Sequence, residues 1–146
     1  MKHILVGYDG SDGGRRALDR AVTEARESRG RITVLSVANL PLDLDVPRNF
    51  GTLDDISDRE GAPLAPPPDV VAHLTEARDR LAESGLDAEL IWAAGEPGHA
   101  IVDTARRIHA QVIVLGEHHH GFLGGLFGAD VDAAVQREVG CDVILA

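Results

Sequence analysis

Four consecutive apolar residues, Val112-Ile113-Val114-Leu115, three of them β-branched, lie between the polar Gln111 and Gly116. A half-exposed strand alternates apolar with polar residues, whereas an unbroken run of this length suits a strand buried on both faces. Such strands belong to parallel sheets, which need helical crossovers between them. The rest of the chain supplies those crossovers. His3 to Tyr8 is another apolar run of strand length, ending in the turn-rich Asp9-Gly10-Ser11-Asp12-Gly13-Gly14. From Arg15 to Glu27 the residues Ala17, Leu18, Ala21, Val22 and Ala25 recur at spacings of three and four. That period predicts an amphipathic helix, with Ser11 or Asp12 as N-cap and Gly30 close to its end.

Arg31 to Val37 reads as a second strand. Residues 38–68 break the pattern with scattered acids and a proline-rich end, and predict a long surface loop: a flexible insertion without chemistry is the leading reading, a functional lid or partner contact the alternative. Helical spacing resumes from Asp69 to Ser84, with Gly85 as its stop, and Leu86 to Ala93 predicts a third strand. Glu96-Pro97 opens another helix with Ile101, Val102, Ala105 and Ile108 on one face. Gln111 to Leu115 is the fourth strand, Asp130 to Val139 a last helix, and Asp142 to Ala146 a final strand.

Strands alternating with helices predict one α/β domain over residues 1–146, a parallel sheet with helices on both faces. Right-handed crossovers place the C-terminal ends of all the strands on one edge, where open α/β sheets bind ligands. Two of these ends, after Tyr8 and after Leu115, carry glycine-rich turns, so the site is expected there.

The 146 residues suffice for a real core, but aromatics are only 3%, so that core must come from Val, Ile, Leu and Ala. The single cysteine, Cys141, rules out an internal disulfide and fits a reducing compartment, as a small buried hydrophobe. No apolar run reaches the roughly 18–20 residues that cross a bilayer, and the start lacks a secretory pattern; a cytoplasmic location is the expectation. A formal charge of −10 disfavours nucleic acid and anionic membrane as partners, since both are polyanions.

The segments KHILVGYDGSDGGRRAL, AAGEPGHAIVDTARRIHAQVIVLG and VQREVGCDVILA together resemble the universal stress protein family over nearly the whole chain. The resemblance implies a Rossmann-like fold of the adenine nucleotide alpha hydrolase type: a five-stranded parallel sheet in the order 3-2-1-4-5, paired into homodimers. It also implies a site for ATP or AMP, with Mg²⁺ only alongside ATP. Asp9 matches the acid near the adenine, Val37 a hydrophobic position beside it, and Gly116 the first glycine of the phosphate loop. The family loop runs Gly-x-x-Gly, nine residues, then Gly followed by Ser or Thr. Here His119 fills the second glycine position, residues 120–127 leave eight before Gly128, and Ala129 replaces the hydroxyl. His118, as a donor to phosphate, and Gly121, as a pliable point of the loop, join the candidate binding set.

Each departure weakens a phosphate cradle. A Cβ at His119 obstructs close backbone approach, and positive φ there costs about 1 kcal/mol or more. Ala129 deletes a donor worth about 1 kcal/mol. Asp130, as N-cap of the last helix, would occupy N–H groups that a phosphate uses and add negative charge, as does Glu117. Histidine N–H groups and the pliable Gly121, Gly124 and Gly125 offer partial compensation.

The leading reading is therefore a non-enzymatic stress-response homodimer, paired through edge strand 142–146, with weak or absent adenine-nucleotide binding and protein partners the sequence does not name. Two alternatives stay open. One is an ATP- or AMP-binding or slowly hydrolysing switch that uses the modified Gly116–Gly128 loop. The other uses His118 to His120 for metal or catalysis: in extended backbone His118 and His120 point the same way, and Glu117 or a dimer mate would have to complete a zinc site. The chain has no Gly-x-Ser-x-Gly elbow, no Gly-x-x-x-x-Gly-Lys-Ser/Thr loop and no Gly-x-Gly-x-x-Gly fingerprint.

Overall fold

The computed structural model describes residues 2–38, 51–52, 66–95, 97–116 and 141–146. Within them the chain forms β1 (His3–Gly7), α1 (Asp12–Ser28), β2 (Arg31–Ala38), β3 (Gly51–Thr52), α2 (Pro68–Glu83), β4 (Ala88–Ala94), α3 (Pro97–Ile108), β5 (Val112–Leu115) and β6 (Asp142–Leu145). The predicted last helix, Asp130 to Val139, lies outside the described residues, as does the loop from Glu117 to Ala129.

The sheet order is β3-β4-β2-β1-β5-β6, and every pairing except β3 with β4 is parallel. Counting the parallel strands alone gives 3-2-1-4-5, as expected. The exception lies within the stretch 38–68 that the sequence reads as a long loop. Gly51 pairs with Trp92 and Thr52 with Ile91 in antiparallel register, so this stretch places two residues along the outer edge of β4. Two glycine-sized or short polar residues carry no apolar period, which is why pattern reading passed over them.

Alternation of side chains across the pleat divides the core into two layers. On one face Ile4, Val6, Val34, Leu90 and Val114 meet α1 through Leu18 and Ala21, and α2 through Leu74 and Leu81. On the other face Leu5, Leu35, Ile91 and Ile113 meet α3 through Ile101 and Ala105. The four residues of β5 are all buried, as their unbroken apolar run requires. Cys141 is buried in the second layer, and burial pushes its thiol above the usual range.

Local chemistry fixes the ends of α1. Ser11 is its N-cap: in extended backbone, its side chain accepts the N–H of Gly14. At the other end the left-handed residue is Arg29, with φ 53°, rather than Gly30. Gly30 is glycine for a different reason, since a Cβ there would lie 2.6 Å from the Lys2 carbonyl oxygen. At the far pole His3 ties three elements together: its Nδ1–H donates to the Ile108 carbonyl at 2.8 Å, and its Nε2 accepts from the Thr33 hydroxyl at 2.7 Å.

Candidate functional site

Three adjacent strands, β2, β1 and β5, end side by side on the C-terminal edge of the sheet. Their ends carry Val37, Asp9 and Gly116, so the topology gathers three sequence-predicted site residues that are far apart in the chain. Of the remaining predicted residues, His118, His119, Gly121, Gly128 and Ala129 lie outside the described residues.

Asp9 sits half-buried at the mouth of the turn after β1. Its Oδ1 accepts the backbone N–H of Ser11 at 3.0 Å and also the Ser11 hydroxyl. The Ser11 oxygen in turn accepts from Gly14 N at 3.0 Å. The carboxylate thus lies flat against the first turn of α1, where a Cβ on Gly14 would stand 3.0 Å from Oδ1. These two contacts orient the Asp9 carboxylate. Val37 is 8% exposed and packs among the apolar residues on the α3 side of the sheet, presenting only an edge at the rim.

Gly116 makes the tightest approach of the site. A Cβ there would lie 2.3 Å from the carbonyl carbon of Gly13, 2.5 Å from its oxygen and 2.8 Å from its Cα. Gly116 is not among the glycines with positive φ, so backbone contact, not left-handed geometry, excludes a side chain. The start of the loop after β5 is therefore seated directly on the first turn of α1.

Sequence reasoning missed a polar cluster one residue from Asp9. Tyr8 is fully buried on the α1–α2 side, and its hydroxyl donates to Glu76 Oε1 on α2. The same oxygen accepts from Arg15 Nε at 2.9 Å, and Arg15 also reaches Asp12 at 2.9 Å. Burial, then the Glu76 carboxylate, hold the Tyr8 phenol well above its usual range. The Tyr8 hydrogen bond and Arg15 hold Glu76 below the usual carboxylate range. His73 stands edge-on to Tyr8, with ring centroids 6.5 Å apart, and covers Gly10, whose φ of 77° favours glycine. A lone tyrosine ending a buried strand was the available signal, because a buried phenol needs a hydrogen-bond partner; nothing marked Glu76 as that partner.

Among the described residues no group of three or more His, Cys, Asp or Glu is arranged to hold a metal ion. His99 and His109, the histidines of α3 and its end, are both exposed. Among the same residues no helix is long and apolar enough to cross a membrane.

Comparison with known proteins bears directly on this edge. The model of the universal stress protein family matches residues 1–146. This chain belongs to the universal stress protein family. It is 31% identical to the universal stress protein YxiE of Bacillus subtilis (strain 168), over 97% of this chain and 96% of that one. A solved universal stress protein in complex with cAMP is 28% identical with a TM-score of 0.66, covering 99% of this chain and 96% of its own. The universal stress protein of Archaeoglobus fulgidus in complex with dAMP is 25% identical with a TM-score of 0.59, covering 99% and 97%. These likenesses agree with the order of the five parallel strands and with a Rossmann-like fold.

Proposed function

We propose that this universal stress protein is a non-enzymatic homodimer that takes an adenine nucleotide weakly at the C-terminal edge of β2, β1 and β5, favouring monophosphates over ATP. The observation that carries the reading is the alignment of Asp9, Val37 and Gly116 on three adjacent strand ends. The cAMP and dAMP complexes of its relatives support the ligand class. Departures in the loop sequence account for the weakness: His119, Ala129 and Asp130 stand where a triphosphate cradle wants glycine, a hydroxyl and open N–H groups. A monophosphate depends on that cradle least.

The same edge gives calorimetry a clear target. AMP or cAMP should bind with a Kd on the order of 0.1–1 mM, roughly −4 to −5.5 kcal/mol. Absence of AMP and cAMP binding at several millimolar would end the nucleotide reading. Tighter binding of Mg²⁺-ATP than of AMP would favour the switch instead.

The two edges of the sheet support the homodimer. The β4 edge is lined by Gly51–Thr52, whereas beyond β6 the sheet has no further strand among the described residues. On β6, Val143 and Ile144 are half-buried and Leu145 is 45% exposed. An apolar open edge invites a second copy. Light scattering at micromolar concentration should give roughly twice the 15.5 kDa chain mass, and Leu145→Lys should shift it toward monomer. A monomeric wild-type protein would contradict the reading.

A further inference from the structure

We propose that Ser11 is the positioning residue of the nucleotide site, acting through Asp9 rather than on the ligand itself. The inference rests on the adenine-nucleotide reading above and names how that site is kept in shape. Ser11 donates twice to Asp9, through its backbone N–H and its hydroxyl, and both donors reach the same oxygen, Oδ1. The hydroxyl is itself held, because its oxygen accepts from Gly14 N in the first turn of α1. Ser11 backbone geometry, φ −76° and ψ 166°, is the extended conformation of a helix N-cap. One side chain therefore does two things: it caps α1 and it locks the carboxylate that ends β1.

The lock matters because a carboxylate on a turn otherwise samples several rotamers, and a ligand must then order it on binding. Tied by Oδ1 against the backbone of α1, Asp9 is ordered before a ligand arrives. The bare Gly14 completes the arrangement, since a side chain there would press on Oδ1 at 3.0 Å. Nothing in the sequence separates this role of Ser11 from simple helix capping; only the shared oxygen does.

Glycine is nearly as good an N-cap as serine and accepts the same backbone angles. Ser11→Gly therefore removes the hydroxyl lock while keeping the backbone donor and most of the cap. Nitrogen-15 NMR titration with AMP, up to about ten millimolar, is the measurement, with melting temperature as the control for folding. Ser11→Gly should weaken AMP about three- to tenfold with little change in melting temperature, and Ser11→Thr, which restores a hydroxyl, should bind close to wild type. In an Asp9→Ala background the same Ser11→Gly change should have no further effect, because the group it positions is gone. Equal AMP affinity in wild type and Ser11→Gly would overturn the proposal while leaving the nucleotide reading in place. An undiminished Ser11→Gly effect in the Asp9→Ala background would overturn it too, by showing that Ser11 acts elsewhere. Failure of the wild-type protein to bind AMP would remove the nucleotide reading and this proposal together.

Discussion

Replacing Gly116 with alanine tests whether this glycine serves a phosphate loop or the packing of the protein on itself. The added Cβ would fall 2.3 Å from Gly13 C, 2.5 Å from Gly13 O and 2.8 Å from Gly13 Cα. Carbon atoms in ordinary contact sit about 3.5–4.0 Å apart, so β5 and α1 would have to separate by more than about 1 Å. All three opposing atoms are backbone within the first turn of a helix, and none can rotate aside. Overpacking of this kind typically costs 1–3 kcal/mol, and the rigidity of the contact places Gly116→Ala at about 3 kcal/mol. Gly85→Ala is the matched control. Gly85 has φ of 75° but nothing within 4 Å of a Cβ, so its replacement carries only the conformational term of about 1 kcal/mol. Urea denaturation followed by far-UV circular dichroism, without nucleotide, measures both. If Gly116→Ala loses no more stability than Gly85→Ala, the contact with Gly13 is not the reason for the glycine and the argument fails.

Two other perturbations read the remaining polar contacts. Tyr8→Phe keeps the buried ring but removes the hydrogen bond to Glu76; bonds to charged groups are worth about 1.5–3 kcal/mol. The Glu76 side chain is 38% exposed and retains Arg15, so water recovers part of that and the expected loss is about 1–1.5 kcal/mol, with no loss in urea titration counting against the cluster. His3 is held below its ordinary value of 6.5, chiefly because burial disfavours the imidazolium. The unfolded chain therefore takes up this proton first, and the His3 contribution, complete above pH 6.5, is lost as pH falls from there through the lower native value. Urea midpoints at pH 7.5, 6.5 and 5.5 should show this slope, and His3→Gln should flatten it.

Much of the architecture was legible because burial on two faces leaves a mark in one dimension. The run 112–115 had to be a central strand, and the period of Ala17, Leu18, Ala21 and Val22 had to be one helix face. The same patterns, with the right-handed crossover, pointed to the edge after Tyr8 and Leu115 as the candidate site. The cap could be narrowed to Ser11 or Asp12 because capping is a local contest among neighbouring backbone groups, and the structure chooses Ser11. The family resemblance supplied the strand order and named Asp9, Val37 and Gly116 as candidate site residues.

Contacts between distant segments left no such mark. Gly116 looks like a loop glycine in sequence, and only folding brings Gly13, over a hundred positions earlier, against its Cα. Tyr8 and Glu76 meet because α2 packs on the face of the sheet where Tyr8, after β1, is buried, which no spacing within either segment encodes. The pairing of Gly51–Thr52 with Ile91 and Trp92 is likewise a choice of edge, made where β4 has N–H and C=O groups to satisfy. Sequence alone determined the five parallel strands and the helices α1, α2 and α3, and which faces they bury, since those depend on periodicity and local hydrogen bonding. Tertiary structure decided which glycine touches which backbone, which carboxylate is locked and which edge of the sheet is covered, because those depend on atoms that the chain brings together only after it has folded.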